Sequence, residues 1–195
     1  MSEERSETDL TAAAARDVAG NWPVDADGYP HRQAARVVLL DPCDRCFLIF
    51  GHDYADRNHC WWFTVGGGME NGESLRETAV RELAEETGLS VSVSRLTGPV
   101  LLRRCTFNFV REVRKQDETY FLLRVTQNEA DLLLKGKNRN LTYLEKHVLD
   151  EYRWWTFAQM NRAQAAGTVI YPPGLARMCA HWARGWDGKT REITQ

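Results

Sequence analysis

No stretch of this chain stays apolar over the ~18 consecutive residues that a membrane-spanning helix needs, so a helical bilayer anchor is not expected. Cysteine is sparse and odd in number, five among 195 residues, which argues against a disulfide framework and suits a reducing compartment. Neither sign of charge dominates: 25 Lys and Arg against 27 Asp and Glu leave a net charge of -2. Bulk attraction to nucleic acid or to an anionic membrane is therefore excluded, and a nucleotide would have to be held by a local site. The opening residues, MSEERSETDL, are acidic and carry no apolar signal core, so a cytoplasmic protein is expected. What the chain does have is 43% hydrophobic residues, enough for one substantial core. One domain is expected over 29–186, after an arm at 1–28 in which Ala12 to Ala15 could start a short helix, and before a tail at 187–195.

The most informative stretch is GGMENGESLRETAVRELAEETGL, from Gly67 to Leu89. Ser74 and Glu77 form an S-x-x-E capping box, Glu77 precedes Arg81 by one helical turn, and Gly88 suits a C′ stop; together they predict a helix over 74–87. On that helix Glu82, Glu85 and Glu86 project into one arc of about 100°. Like charges at these offsets cost an isolated helix roughly 0.2–0.5 kcal/mol per pair, with no structural return unless a cation sits between them. Hard oxygen donors favour Mg²⁺ or Mn²⁺. Leu75, Ala79, Leu83 and Thr87, continuing round to Val80 and Ala84, supply a stripe able to pack on a sheet. Ahead of the helix, Gly66, Gly67, Gly68 and Gly72 are expected to form a loop that brings backbone close to a ligand.

The spacing Gly-x5-Glu-x7-Arg-Glu-Leu-x-Glu-Glu-x-Gly-Leu is filled here by Gly67, Glu73, Arg81, Glu82, Leu83, Glu85, Glu86, Gly88 and Leu89. It resembles the signature of the Nudix hydrolases at every fixed position, and chance assembly of this pattern has a probability on the order of 10⁻⁷ or less. The resemblance implies an α/β fold in which a mixed sheet is sandwiched between helices, the Nudix-type α/β/α arrangement. It also implies Glu82, Glu85, Glu86 and Gly67 as metal ligands, Glu73 and Arg81 as a pair holding the loop to the helix, and Gly66, Gly67 and Gly68 against the substrate. Two further stretches, WWFTVGGG with Val65 where proline is common and LEKHVLDEYRWWTF, resemble a subgroup of bacterial Nudix proteins. The expected chemistry is attack of a metal-activated water on one phosphorus of a nucleoside-diphosphate-linked substrate, releasing a nucleoside monophosphate and a second phosphate product.

Around that motif the assignments stay open. Arg36, Arg103, Arg104 and His52 are candidate cations for the phosphates. Glu85 or Glu86 inside the motif, or Glu118 and Glu145 outside it, are candidate general bases, with Asp117, Asp150 and Glu151 competing. A sensor on the same fold that binds a nucleotide without turnover is the alternative, and the intact acids argue against it. An isomerase on this fold would want further acid and cysteine groups that are not matched. Substrate choice is expected to come from Asp53 to Cys60, Arg111 to Asp117 and Lys135 to Leu144.

Strands are expected at Ala35 to Leu40, Cys46 to Phe50, Trp61 to Val65, Leu96 to Phe109, Thr119 to Val125 and Glu151 to Phe157, with late helices at Phe157 to Ala166 and Pro173 to Trp182. Adjacent strand residues face opposite ways, so one each of Trp61/Trp62 and Trp154/Trp155 is expected in the core and the other free to line a pocket. Phe107, Phe109 and Tyr120 are further stacking candidates. Trp182 and Trp186 would pack internally or at a homodimer interface. Cys43-x-x-Cys46 follows Asp41-Pro42 and reads as a hairpin turn rather than as half of a zinc or redox site.

Overall fold

A computed structural model describes residues 22–108 and 112–195; the Ala12 to Ala15 helix, Phe109 and Arg111 lie outside the described residues. The strands are β1 (His31–Leu40), β2 (Cys46–Asp53), β3 (Asp56–Phe63), β4 (Val65–Gly68), β5 (Thr97–Asn108), β6 (Val113–Arg124), β7 (Leu149–Trp155) and β8 (Arg191–Thr194). The helices are α1 (Leu75–Thr87), α2 (Gln127–Lys135), the single turn α3 (Glu145–Val148), α4 (Phe157–Ala165) and α5 (Leu175–Trp182). The strands form one mixed sheet in the order β3-β2-β1-β6-β5-β8, with β4 paired to β1 and β7 to β2. At its centre β1 runs parallel to β6.

Two-residue alternation along the central strands builds two cores. Val37 and Leu39 pack with Ala79 and Leu83 of α1 and with Ala130 and Leu133 of α2. Val38 and Leu40 face the other way, onto Met160 of α4 and Leu175, Cys179 and Trp182 of α5. The result is the expected α/β/α sandwich. The β1–β2 turn forms as read: Asp41 Oδ1 accepts the N–H groups of Cys43 at 3.0 Å and Arg45 at 2.7 Å. Cys43 is exposed whereas Cys46 is buried, so the two thiols do not face a common ligand.

Several expectations change. The glycine stretch is not a free loop: Val65–Gly68 is a strand whose Gly66, Gly67 and Gly68 oppose Arg36, Ala35 and Ala34. The segment Arg111 to Asp117, expected as a connection, is strand from Val113 onward, which puts Glu118 in mid-strand. Residues 187–195 are not a detached tail, because β8 adds to the sheet edge beside β5. Trp154 and Trp155 are both core, one on each face of the sheet. Trp182 is 1% exposed and inside the core, which removes it from any interface. α2 was not anticipated; its Thr126–Glu129 capping box and the left-handed Gly136 at its end are nonetheless legible signals.

Two measurements test this architecture. Leu83 is fully buried between α1 and the sheet, so Leu83→Ala is expected to cost about 2–5 kcal/mol in urea unfolding; a loss under ~1 kcal/mol would place the α1 stripe elsewhere. Arg95 grips Glu129 with contacts of 2.5 and 3.1 Å and, chiefly through those hydrogen bonds, lowers its pKa to about 2. A depressed carboxylate contributes stability above its unfolded pKa of about 4.3 and loses it as pH falls through the folded value. Glu129→Gln should therefore lower Tm at pH 6, with the gap closing as pH falls below about 4.3 towards 2; a gap independent of pH would contradict the pairing.

Candidate metal and catalytic site

The site is assembled by α1 and β4. Ser74 and Glu77 close the predicted capping box, and Gly88 ends the helix at φ 78° with its N–H on Ala84. Gly66 has φ +130°, and a Cβ there would lie 2.1 Å from the Ala35 carbonyl oxygen, so glycine is obligatory. At Gly67 the reason differs: a Cβ would sit 2.6 Å from both carboxylate oxygens of Glu82. The bare backbone at 67 is therefore what gives Glu82 its seat.

Arg81 is the clamp. Its Nε donates to Glu73 Oε1 at 2.7 Å and its Nη2 to the Gly68 carbonyl at 2.9 Å, while Nη1 reaches Glu82 Oε1 at 2.9 Å and Glu85 Oε2 at 3.1 Å. The Arg81 hydrogen bonds bring the Glu73 carboxyl down to about 2. Burial opposes the charge on Arg81, but Glu73 and Glu82 outweigh it and raise its pKa. The Glu73–Arg81 pairing implied by the motif is thus present in the geometry.

Glu86 accepts the Gly66 N–H on Oε2 at 2.8 Å. Burial, followed by repulsion from Glu82, lifts its pKa well above the carboxylate range. Burial also raises Glu82, against the pull of Arg81. The third acid comes from α3: Glu82, Glu86 and Glu145 bring carboxylate oxygens within 4.8 Å of one another. Glu145 is delivered by a docked loop, in which Asn140 N–H donates to the Glu85 carbonyl at 2.8 Å and the Lys137 carbonyl lies against Gly88. Its own Oε2 accepts the Thr142 N–H at 2.8 Å.

This changes the trio expected from the helix alone. Glu85 stays outside the tight cluster, turned to Arg81 with a 35% exposed side chain, and Glu145 takes its place. An all-carboxylate cluster, without nitrogen or sulfur, fits a hard cation such as Mg²⁺ or Mn²⁺, and of its three acids only Glu82 has an arginine, Arg81, against it, which leaves negative charge for such a cation to neutralise.

The outer candidates are committed elsewhere. Glu118 is 2% exposed; Oε1 accepts from Arg36 Nε at 2.9 Å and Gln116 Nε2 at 2.8 Å, and Oε2 from Arg103 Nη1 at 2.7 Å and Tyr120 OH at 2.5 Å. Burial pushes its pKa up, but Arg36 and then Arg103 outweigh that and hold it below the usual range. Both oxygens are filled, so Glu118 is a buried anchor and not a base. The same contacts take Arg36 and Arg103 from the substrate: Arg36 also donates to the Thr64 and Gly66 carbonyls, and the other nitrogens of Arg103 donate to Gln195.

The remaining candidates are dispersed. His52 is buried against Asp150 at 2.7 Å, Asp117 lies 3.2 Å from His31, and Glu151 pairs with Arg153. Arg104 is exposed on β5, and Tyr120 is core. Trp61 packs edge-on with His59 and Tyr171, and Phe107 lies under the Arg103 guanidinium. Of the expected recognition segments, 56–60 is part of β3.

Sequence reasoning missed Arg32. It stands four residues before Arg36 on the same face of β1, opposite Gln116 as Ala34 is opposite Glu118. The two-residue period was the available signal, although the partner strand could not be read without the fold.

A mixed sheet between helical layers, with a glutamate cluster beside its glycine strand and first helix, places the protein in the α/β/α class. The chain belongs to the Nudix family: the profile described as NUDIX domain matches residues 30–173. An RNA pyrophosphohydrolase of Dinoroseobacter shibae is 41% identical over 69 residues, covering 35% of this chain and 41% of the relative. Another RNA pyrophosphohydrolase, from Caulobacter vibrioides, is 31% identical over 145 residues, covering 67% of this chain and 74% of the relative. The chain thus spans about two fifths of the one and about three quarters of the other. In fold it is similar to an ADP-ribose pyrophosphatase of Streptococcus suis, with a TM-score of 0.51 at 15% identity, covering 83% of this chain and 98% of that one.

Gly67→Ala isolates the seat of Glu82. Its Cβ would meet a side-chain end rather than backbone, so the fold should survive while the carboxylate is displaced. Mn²⁺ affinity by calorimetry is expected to fall about 10-fold or more, with Tm changed by only a few degrees; unchanged affinity would remove Glu82 from the ligand set.

Proposed function

We propose that this Nudix hydrolase cleaves a phosphoanhydride bond of a nucleoside-diphosphate-linked or 5′-polyphosphorylated substrate, in a reaction that depends on Mg²⁺ or Mn²⁺. The observation that carries this is the meeting of Glu82, Glu86 and Glu145 at one point beside the glycine strand. Two of these acids are buried, and burying like charges together is costly unless a cation shares the site. Bound there, Mg²⁺ or Mn²⁺ supplies charge neutralisation on the phosphate oxygens and a lowered pKa for water.

The chain's own residues divide the remaining work. Glu82 and Glu86 hold the cation, one seated on Gly67 and the other on the Gly66 N–H. Arg81 keeps Glu82 and Glu85 from repelling one another. Glu145, partly exposed and fixed through Oε2 to Thr142, accepts the proton of the water that adds to phosphorus. As that P–O bond forms, the bridging P–O bond breaks and the second phosphate leaves. The relatives' name, RNA pyrophosphohydrolase, makes RNA bearing a phosphoanhydride the first substrate to try, beside nucleoside triphosphates, ADP-ribose and dinucleoside polyphosphates.

The assignment is tested by separating cation affinity from turnover. Glu86→Gln should lose both, with kcat down about 100-fold or more, whereas Glu145→Gln should lose a similar factor in kcat and keep Mn²⁺ affinity within about 3-fold. Full turnover in Glu86→Gln would overturn the proposal. A parallel loss of cation affinity in Glu145→Gln would make Glu145 a ligand and not the base.

A further inference from the structure

Arg32, Arg36, Arg103 and Arg114 all lie where β1, β5 and β6 run side by side, and the last three have acids. Arg36 and Arg103 share Glu118, and Arg114 has Glu112 at 2.5 Å. Arg32 differs. Its Nε donates to Gln116 Oε1 at 2.8 Å, its guanidinium carbon lies 3.9 Å from the centre of the Trp22 ring, and among the described residues it has no carboxylate partner and no hydrogen bond from Nη1 or Nη2.

Its position is specific. The guanidinium lies over Gly68, where a Cβ would come within 2.5 Å of Nη1, and the preceding residue, Gly67, carries the Glu82 carboxylate. Arg32 also lines a cleft of about 730 Å³, together with Trp22, His31, Met69, Glu70 and Asp117. Burial, then repulsion from Arg36, brings its pKa down to about 9, so the group remains cationic at neutral pH. Arg32 is half-buried, so a charge with no acid opposite it is free to take an anion from the cleft, and a guanidinium offers a fork matched to two oxygens of one phosphate.

We propose that Arg32 is a phosphate-binding residue of this site, its two unengaged Nη groups taking two oxygens of a phosphate next to the anhydride cleaved at the Glu82–Glu86–Glu145 cluster. This rests on the hydrolase reading above for the identity of the anhydride. Trp22 and Gln116 fix the plane of the guanidinium, and the missing side chain at 68 lets it approach the glycine strand. The arrangement suits substrates that present a phosphate beyond the one attacked, with free oxygens on the Arg32 side, as nucleoside polyphosphates and 5′-polyphosphate ends do.

Inorganic pyrophosphate is the probe, titrated calorimetrically with EDTA and again with Mg²⁺ into the wild type, Arg32→Ala, Arg32→Lys and Arg162→Ala, the last removing an exposed charge on α4. A melting curve accompanies each variant. Arg32→Ala is expected to raise Kd about 10-fold or more in both conditions, with Arg32→Lys between it and the wild type and Arg162→Ala unchanged. If Arg32→Ala fails to fold, Arg32→Lys carries the test, since it keeps the charge and loses only the fork. Equal affinity in the wild type and the folded Arg32 variants, or no pyrophosphate binding by the wild type, overturns the assignment. Turnover of Glu86→Gln is read separately. Its loss alongside equal pyrophosphate affinities sinks the Arg32 assignment alone, and its retention alongside Arg32-dependent binding sinks the hydrolase reading and leaves the phosphate site standing.

Discussion

One buried carboxylate, Glu118, holds arginines from two neighbouring strands, Arg36 of β1 and Arg103 of β5, and much of the site depends on it. Arg36 passes the constraint on by donating to the carbonyls of Thr64 and Gly66, at the edge of the glycine strand. A short strand with almost no side chains has little packing with which to place itself, so its position is set electrostatically from inside the sheet. Removing one member of such a buried pair costs about 3–5 kcal/mol, because the other charge is left without a partner. Here the cost would also fall on the geometry of the acid cluster, which sits on Gly66 and Gly67.

The same logic explains how three acids coexist before any cation is considered. Glu82 is offset by Arg81, and Glu86 by the Gly66 N–H, while Glu145 is steadied by the Thr142 N–H. Each acid keeps one polar contact that orients it and retains capacity for another ligand. Two of these three contacts come from backbone N–H groups, which no side-chain substitution can remove directly. Orientation is thereby separated from charge, so the carboxylates can be varied without dismantling their supports.

The parts legible in the sequence were those with local causes. The capping box at Ser74, the stop at Gly88, the Glu73–Arg81 pairing, the β1–β2 turn at Asp41 and the layered arrangement all follow from short spacings or from a resemblance carried by one helix. What stayed hidden needed contacts distant in the chain. Glu118 looked like a candidate base and Arg103 like a candidate cation for the phosphates because a strand pattern does not reveal that their partners lie on other strands. Glu145 could be named but not placed, since its approach to Glu82 depends on a loop docked on the end of α1. Arg32 was passed over because an arginine is noticed by its neighbours in sequence, whereas what sets it apart is the missing acid opposite it.

The loop that delivers Glu145 is docked through Asn140 to the Glu85 carbonyl and lies against Gly88, so it takes its bearing from the same helix that carries Glu82 and Glu86. It therefore acts as a ruler: the number of residues between the docking point and Glu145 measures out the span between the acids. Changes in length along that segment would miscalibrate the cluster, whereas the exposed tip of the β1–β2 turn, Pro42 to Asp44, sets no distance in the site and would tolerate insertion better. Among related chains, constancy of spacing in the one and drift in the other would be the trace of that difference.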